Sequence, residues 1–147
     1  MPSAQSQADS IWEGNLSQGH GTITLESGII SDQPITWASR TQRTRGKTSP
    51  EELIAAAHAG CYGMALSNTL DKAGHPSKRL DITAVCTFET GGDGAKISTM
   101  ELRVRGAVPG IDQARFEELA RQGEQGCPVS NALRNNVRIT VNAELLS

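Results

Sequence analysis

Aromatic residues make up only 3% of the 147-residue chain, and the formal net charge is −2. A nucleic-acid-binding surface calls for a basic stripe or a platform of stacking rings, and the sequence offers neither. Apolar runs are short: none approaches the roughly 18 residues of a membrane-spanning helix, so no partnership with a membrane is expected. Residues 1–9 lack both a basic start and an apolar segment, which argues against a signal peptide; they are polar and expected to form a flexible N-terminus. Cysteine is sparse and odd in number, at three. That count argues against a disulfide framework, and a reducing cytoplasm is its simplest setting. With 37% hydrophobic residues, 15 glycines, no internal repeat and no linker, residues 10–147 read as a single domain with one core.

The elements that are present alternate between two periods. Ile11–Gly14 and Gly21–Glu26 read as strands of a hairpin around the turn residues 17–20, and Ile35-Thr36-Trp37 as a third short strand. A basic loop follows from Arg40 to Lys47. Ser49 then caps a helix, with Pro50 at its first position and Glu52 completing a capping box. The pattern continues for roughly 24 residues, about 36 Å, until Gly74 and Pro76 stop it. Alanine and glycine occupy nearly every face of its middle, so this helix is expected to be central and to admit close approach by another. Leu80, Ile82, Ala84, Cys86 and Phe88 alternate with polar neighbours, as do Met100, Leu102 and Val104, giving two strands around Gly91–Gly94. Asp112 caps a short helix carrying Phe116, Leu119 and Ala120 on one face, a further short helix follows Cys127, and Val137 to Leu145 alternate as the last strand. The order predicts an α+β domain with mostly antiparallel sheet around a long central helix.

Three thiols compete for attention. Cys86 sits on the apolar face of a strand, where a buried core cysteine is the ordinary reading. Cys61 lies inside the small-residue helix; an apolar site raises a thiol pKa, so reactivity there requires a cation from elsewhere, and the Arg40–Lys47 loop is the concentrated source. Cys127 precedes Pro128 and so stands at a helix N-cap, where backbone N–H groups favour an anion and make a good leaving group in disulfide exchange. The two are 66 residues apart, and any meeting belongs to the folded state. His58 shares a helical face with Cys61 at i, i+3. The spacing is open to a metal-ligand pair or a base for the thiol, but a core histidine is the ordinary reading. Two ligands are too few for zinc, so no metal is expected, and thiol redox chemistry needs no organic cofactor.

At this point Trp12-Glu13-Gly14, Glu26-Ser27-Gly28, the run Ser49 to Cys61, Val108 to Asp112 and Gly126 to Ser130 together resemble the OsmC/Ohr family, the osmotically inducible protein C and organic hydroperoxide resistance proteins. The resemblance covers the chain from Trp12 onward, and His58 with the Val108–Asp112 stretch places it nearer the OsmC branch. It implies an intertwined homodimer and a stress-related, antioxidant thiol peroxidase acting on organic hydroperoxides. Cys61 then matches the peroxidatic cysteine and Cys127 the resolving one, joined as a disulfide during turnover and reduced by a dithiol such as a lipoylated protein. Arg40 matches the arginine paired with the thiolate, and Glu51 the glutamate that holds it. The loop before Pro50 is one residue longer than the family pattern, which leaves Arg43 and Arg45 as alternatives to Arg40. A non-enzymatic thiol redox sensor, or a ligand-binding dimer that uses neither thiol, are the rival readings, distinguished by whether peroxide is turned over.

Overall fold

The computed structural model describes residues 2–146. Its chain divides after Leu53 into two units, each with its own sheet. In the first, β1 (Ala8–Glu13), β2 (His20–Leu25) and β3 (Gln33–Ile35) form an antiparallel sheet in that order. The first strand starts at Ala8, two residues inside the stretch expected to be frayed. The hairpin turn is held by Asn15, whose Oδ1 accepts the Gln18 N–H at 2.8 Å.

The chain then departs from expectation. Thr36 and Trp37 do not extend the third strand, and Arg40 does not lie in a loop, because α1 (Trp37–Gln42) begins there. The physical reason is a capping box. Thr36 Oγ1 accepts the Ser39 N–H and Ser39 Oγ accepts the Thr36 N–H, each at 3.0 Å, which satisfies two amides that the helix start would leave bare. Arg43 ends this helix in the left-handed region, φ 58.

Helix α2 (Pro50–Lys72) runs without a break through Gly60. Ser49 Oγ accepts the Glu52 N–H at 3.1 Å as the capping signature requires. The Glu52 carboxylate turns instead to the Thr48 hydroxyl and Arg43. At the other end Gly74, φ +84, closes a Schellman motif: its N–H reaches Asp71 O, and the His75 N–H reaches Leu70 O. His58, Tyr62, Leu66 and Leu70 recur every four residues as the buried stripe, while Ala57, Gly60 and Met64 form an exposed one. The helix is therefore less enclosed in a single chain than its composition suggests.

The second unit carries the core. Strands β4 (Arg79–Gly91) and β5 (Gly94–Ala107) form a long antiparallel hairpin, and β6 (Arg138–Leu146) joins β5 in parallel. That parallel pairing needs a crossover, supplied by α3 (Gln113–Gln125) and α4 (Pro128–Leu133). Met100, Leu102 and Val104 are buried on the face where Leu80, Ile82, Ala84 and Cys86 are half-buried, the alternation read from sequence. Helix α3 is longer than expected, because its buried face continues past Ala120 to Gly123 and Glu124. Asp112 caps it, accepting the Arg115 N–H at 2.8 Å. Glycine lets α3 seat closely: a Cβ on Gly106 would fall 2.5 Å from the Phe116 ring, and one on Gly123 would fall 3.0 Å from Leu66 Cα.

Candidate active site

The second unit brings Cys61 and Cys127 together. Their sulfurs lie 3.4 Å apart, both as free thiols. Cys61 stands near the middle of α2, half-buried; Cys127 is fully buried at the N-cap of α4, with Pro128 at the first helical position. The Cys127 side chain makes no capping bond of its own. The Val129 N–H of α4 acts on Cys61. Three influences act on the Cys61 thiol: burial pushes its pKa up most strongly, the Val129 N–H pulls it down, and the Cys127 thiol pushes it up again. Cys86, by contrast, faces Met100 across the β4–β5 pair, half-buried on the core side of the sheet.

His58 resolves to one of its three readings. Its Nε2 lies 2.6 Å from Ser130 Oγ, and both residues are fully buried. Nδ1 has no hydrogen-bond partner among the described residues. Burial lowers the imidazole pKa, the Glu124 carboxylate opposes this, and the net direction is downward, so the ring is neutral near pH 7. His58 is thus a core histidine that ties α2 to α4. Tyr62 ties α2 to α3 in the same way, its hydroxyl donating to Ala120 O at 2.9 Å, with burial pushing its pKa far up. Behind this cluster Glu124, only 5% exposed, pairs with Arg134 Nη1 at 3.0 Å.

Arg40 and Glu51 meet in the first unit. Arg40 Nε donates to Oε1 and Oε2 of Glu51 at 3.0 and 3.1 Å, and Nη2 donates to Oε2 at 2.8 Å. The Glu51 side chain is 4% exposed and that of Arg40 31%. The Arg40 guanidinium also lies 6.0 Å from the centre of the Trp37 ring. Of the alternatives to Arg40, Arg43 is engaged elsewhere: Nη1 donates to Ser49 Oγ at 2.6 Å, and Nη2 reaches Glu52. Arg45 is exposed in the turn. Arg40 is accordingly the loop arginine that Glu51 holds, on a helical turn that the sequence reading took for loop.

Sequence reasoning did not single out Ser130, Val129 or Glu124. Ser130 had a signal available in its i, i+3 spacing from Cys127, which mirrors that of His58 and Cys61. A backbone amide such as that of Val129 leaves no mark in the sequence.

The family model for OsmC-like protein matches residues 43–142. The chain belongs to this family. The matched span contains Glu51, Cys61 and Cys127 and begins after Arg40. The OsmC-like chain is 40% identical over 136 residues to Escherichia coli peroxiredoxin OsmC, covering 92% of this chain and 93% of that one. It is 36% identical over 97 residues to an organic hydroperoxide resistance protein of Xanthomonas axonopodis pv. citri, covering 64% and 65% of the two. Among solved structures it resembles the organic hydroperoxide resistance protein OhrB of Bacillus subtilis, with TM-score 0.73 and 26% identity over 94% of this chain and 98% of that one. No helix among the described residues is long and apolar enough to cross a membrane.

Proposed function

We propose that this OsmC-like protein is a peroxidase that reduces organic hydroperoxides to alcohols through Cys61 and Cys127. The observation that carries the reading is the 3.4 Å approach of two free thiols from distant parts of the chain. The relatives named peroxiredoxin and organic hydroperoxide resistance protein support a peroxidase with organic hydroperoxides as its substrate class.

The chemistry follows from the thiol oxidation ladder. The Cys61 thiolate attacks the terminal oxygen of a hydroperoxide; the O–O bond breaks, the alkoxide takes a proton and leaves as alcohol, and Cys61 becomes a sulfenic acid. The Cys127 thiol then attacks that sulfur, water departs, and a Cys61–Cys127 disulfide forms. A dithiol, such as one borne by a lipoylated protein, returns both cysteines to thiols and is itself oxidised to a disulfide. Arg40 stabilises the thiolate and polarises the peroxide, and the two-point pair with Glu51 sets the plane of its guanidinium.

Helix geometry supports a site assembled from two chains. Glu51 and Cys61 are ten positions apart on the uninterrupted α2, which is about 15 Å along the axis and about 80° around it. A two-fold homodimer in which Cys61 of one chain meets Arg40 and Glu51 of its partner removes that conflict, and the exposed stripe of Ala57, Gly60 and Met64 gives a second chain room to approach. Consumption of tert-butyl and cumene hydroperoxides, compared with hydrogen peroxide in the presence of a dithiol, tests the reading. Turnover is expected with the organic substrates and lost in Cys61→Ser; a protein that consumes none of them is not a peroxidase.

A further inference from the structure

Two pairs of side chains join α2 to α4, and they share one spacing. His58 and Cys61 are separated by three positions on α2; Cys127 and Ser130 are separated by three positions at the start of α4. His58 faces Ser130 at 2.6 Å and Cys61 faces Cys127 at 3.4 Å, so the segments run antiparallel with their contacts in register. The first pair is wholly enclosed, and the second is the reactive one. Helix α4 has only 6 residues, too few to hold its position by its own hydrogen bonds. It nevertheless brings the Cys127 thiol to the Cys61 sulfur, and the Val129 N–H holds the Cys61 pKa down against burial.

We infer that His58 and Ser130 are positioning residues for the thiol chemistry: their buried hydrogen bond fixes the first turn of α4 on α2, so that the Cys127 thiol meets the Cys61 sulfur. The inference rests on the peroxidatic and resolving roles proposed above. A neutral imidazole offers one donor and one acceptor, and a hydroxyl can meet either at Nε2. A hydrophobic contact would also bring the helices together, but it would leave α4 free to slide or rotate. A hydrogen bond between two enclosed polar groups sets the register, because any other alignment leaves both unpaired. The chemistry is sensitive to that alignment, since a displacement of about 1 Å can cost on the order of a hundredfold in rate. The titratable groups around the pair are Cys61 and Tyr62 on α2, Cys127 at the start of α4, and Glu124 on α3 with its partner Arg134.

The test separates the hydroxyl from the bulk of residue 130. Ser130→Ala and Ser130→Thr proteins, matched for folding by thermal melting, are oxidised with diamide, which drives disulfide formation without any peroxide. Mass spectrometry of acid-quenched samples follows closure of the Cys61–Cys127 bond. Ser130→Ala is expected to close about tenfold more slowly, the usual scale for a lost buried hydrogen bond, and Ser130→Thr within about threefold of the unaltered protein. The pH profile of Cys61 alkylation is expected to move upward in Ser130→Ala as the Val129 amide is lost, and to stay in place in Ser130→Thr. Unchanged closure and an unchanged profile in a folded Ser130→Ala would overturn the inference, as would a Ser130→Thr protein as slow as Ser130→Ala. Should Ser130→Ala not fold, His58→Gln (expected within about threefold) and His58→Leu (expected about tenfold slower) decide by the same measure. A protein that closes the bond under diamide but consumes no hydroperoxide would overturn the peroxidase reading and leave the positioning role standing.

Discussion

Replacing Arg40 by methionine removes a cation while keeping a long unbranched side chain. Its consequence for Cys61 can be worked through. Burial raises the pKa of that thiol, so in isolation it is a poor nucleophile at neutral pH. An opposite charge close by lowers a pKa by roughly 1–3 units. While the thiol is mostly protonated, each unit by which a cation lowers its pKa raises the thiolate fraction about tenfold. The more acidic thiolate is also less nucleophilic: at a Brønsted slope of about 0.45, two units cost about eightfold per thiolate. The net advantage that Arg40 would confer is therefore smaller than its effect on ionisation, and it would reverse at a pH high enough to ionise the thiol with or without the cation. In a Cys127→Ser background, with the Cys61→Ser protein subtracted to remove any signal from Cys86, the reaction with the neutral disulfide 4,4′-dithiodipyridine can be followed by absorbance from pH 5 to pH 10. The midpoint for Arg40→Met is expected to lie higher by the roughly 1–3 units typical of a lost opposite charge, with its rate lower at neutral pH and higher where both thiols are ionised. Crossing profiles are the signature of a charge effect; a merely steric change would slow the reaction equally at every pH. An unmoved midpoint would refute the role of Arg40. A larger movement in Arg43→Met would transfer that role to Arg43, although the Glu51 pair argues against this.

Three further outcomes are expected. Cys127→Ser should allow one oxidation and then stall, with mass spectrometry showing Cys61 advancing to sulfinic or sulfonic acid under excess peroxide, whereas the unaltered protein shows a Cys61–Cys127 disulfide; a dominant disulfide through Cys86 would contradict the assignment. Cys61→Ser and Glu51→Ala chains, each inactive alone, should recover part of the activity when unfolded and refolded together, because one site of the mixed dimer then holds both Cys61 and Glu51; proven heterodimers without activity would mean that each site is built within one chain. Gly123→Ala should lower the melting temperature by about 2–8 °C, since overpacking against Leu66 Cα costs about 1–3 kcal/mol and outweighs a helix-propensity gain of up to about 1 kcal/mol; an unchanged or raised melting temperature would show that α3 can shift away from α2 without cost.

How far the sequence could be read depended on whether the deciding interaction was local. Ser49, Pro50 and Glu52 mark the start of α2 because a helix N-terminus needs its amides satisfied within three residues, and the structure meets that need from Ser49. The alternation through β4 and β5 was readable for the same reason: one face of each strand must be buried, and its residues recur at every second position. Helix α1 was missed although Thr36 and Ser39 carry a capping signal of equal quality. Ile35, Thr36 and Trp37 are all strong strand formers, and a helix of 6 residues is too short to show a period that could outweigh them. The error mattered, because it left Arg40 in a loop beside Arg43 and Arg45 with little to choose among them. Once Arg40 is on a helical turn, its partner is Glu51, while Arg43, past the left-handed C-cap, turns back to Ser49 and Glu52.

The contacts that lay beyond the sequence are those between α2 and α4. On its own helix His58 stands i, i+3 from Cys61, a spacing open to a metal pair, a base or a core residue, of which the core residue is the ordinary reading. What decides among them is the residue opposite, and Ser130 is 72 positions away. Cys127 alone reads as a thiol at a helix start, yet the Val129 amide of that helix acts on Cys61. Each thiol's environment is made by the other's helix. His58-x-x-Cys61 and Cys127-x-x-Ser130 each consist of one thiol and one hydrogen-bonding group in reversed order, which is the pattern two antiparallel segments must carry if both contacts are to form at once. Neither motif says much by itself. Their reversal is what ties an otherwise unremarkable serine to the redox pair, and Ser130→Ala set beside Ser130→Thr asks directly whether that tie governs how fast the thiols join.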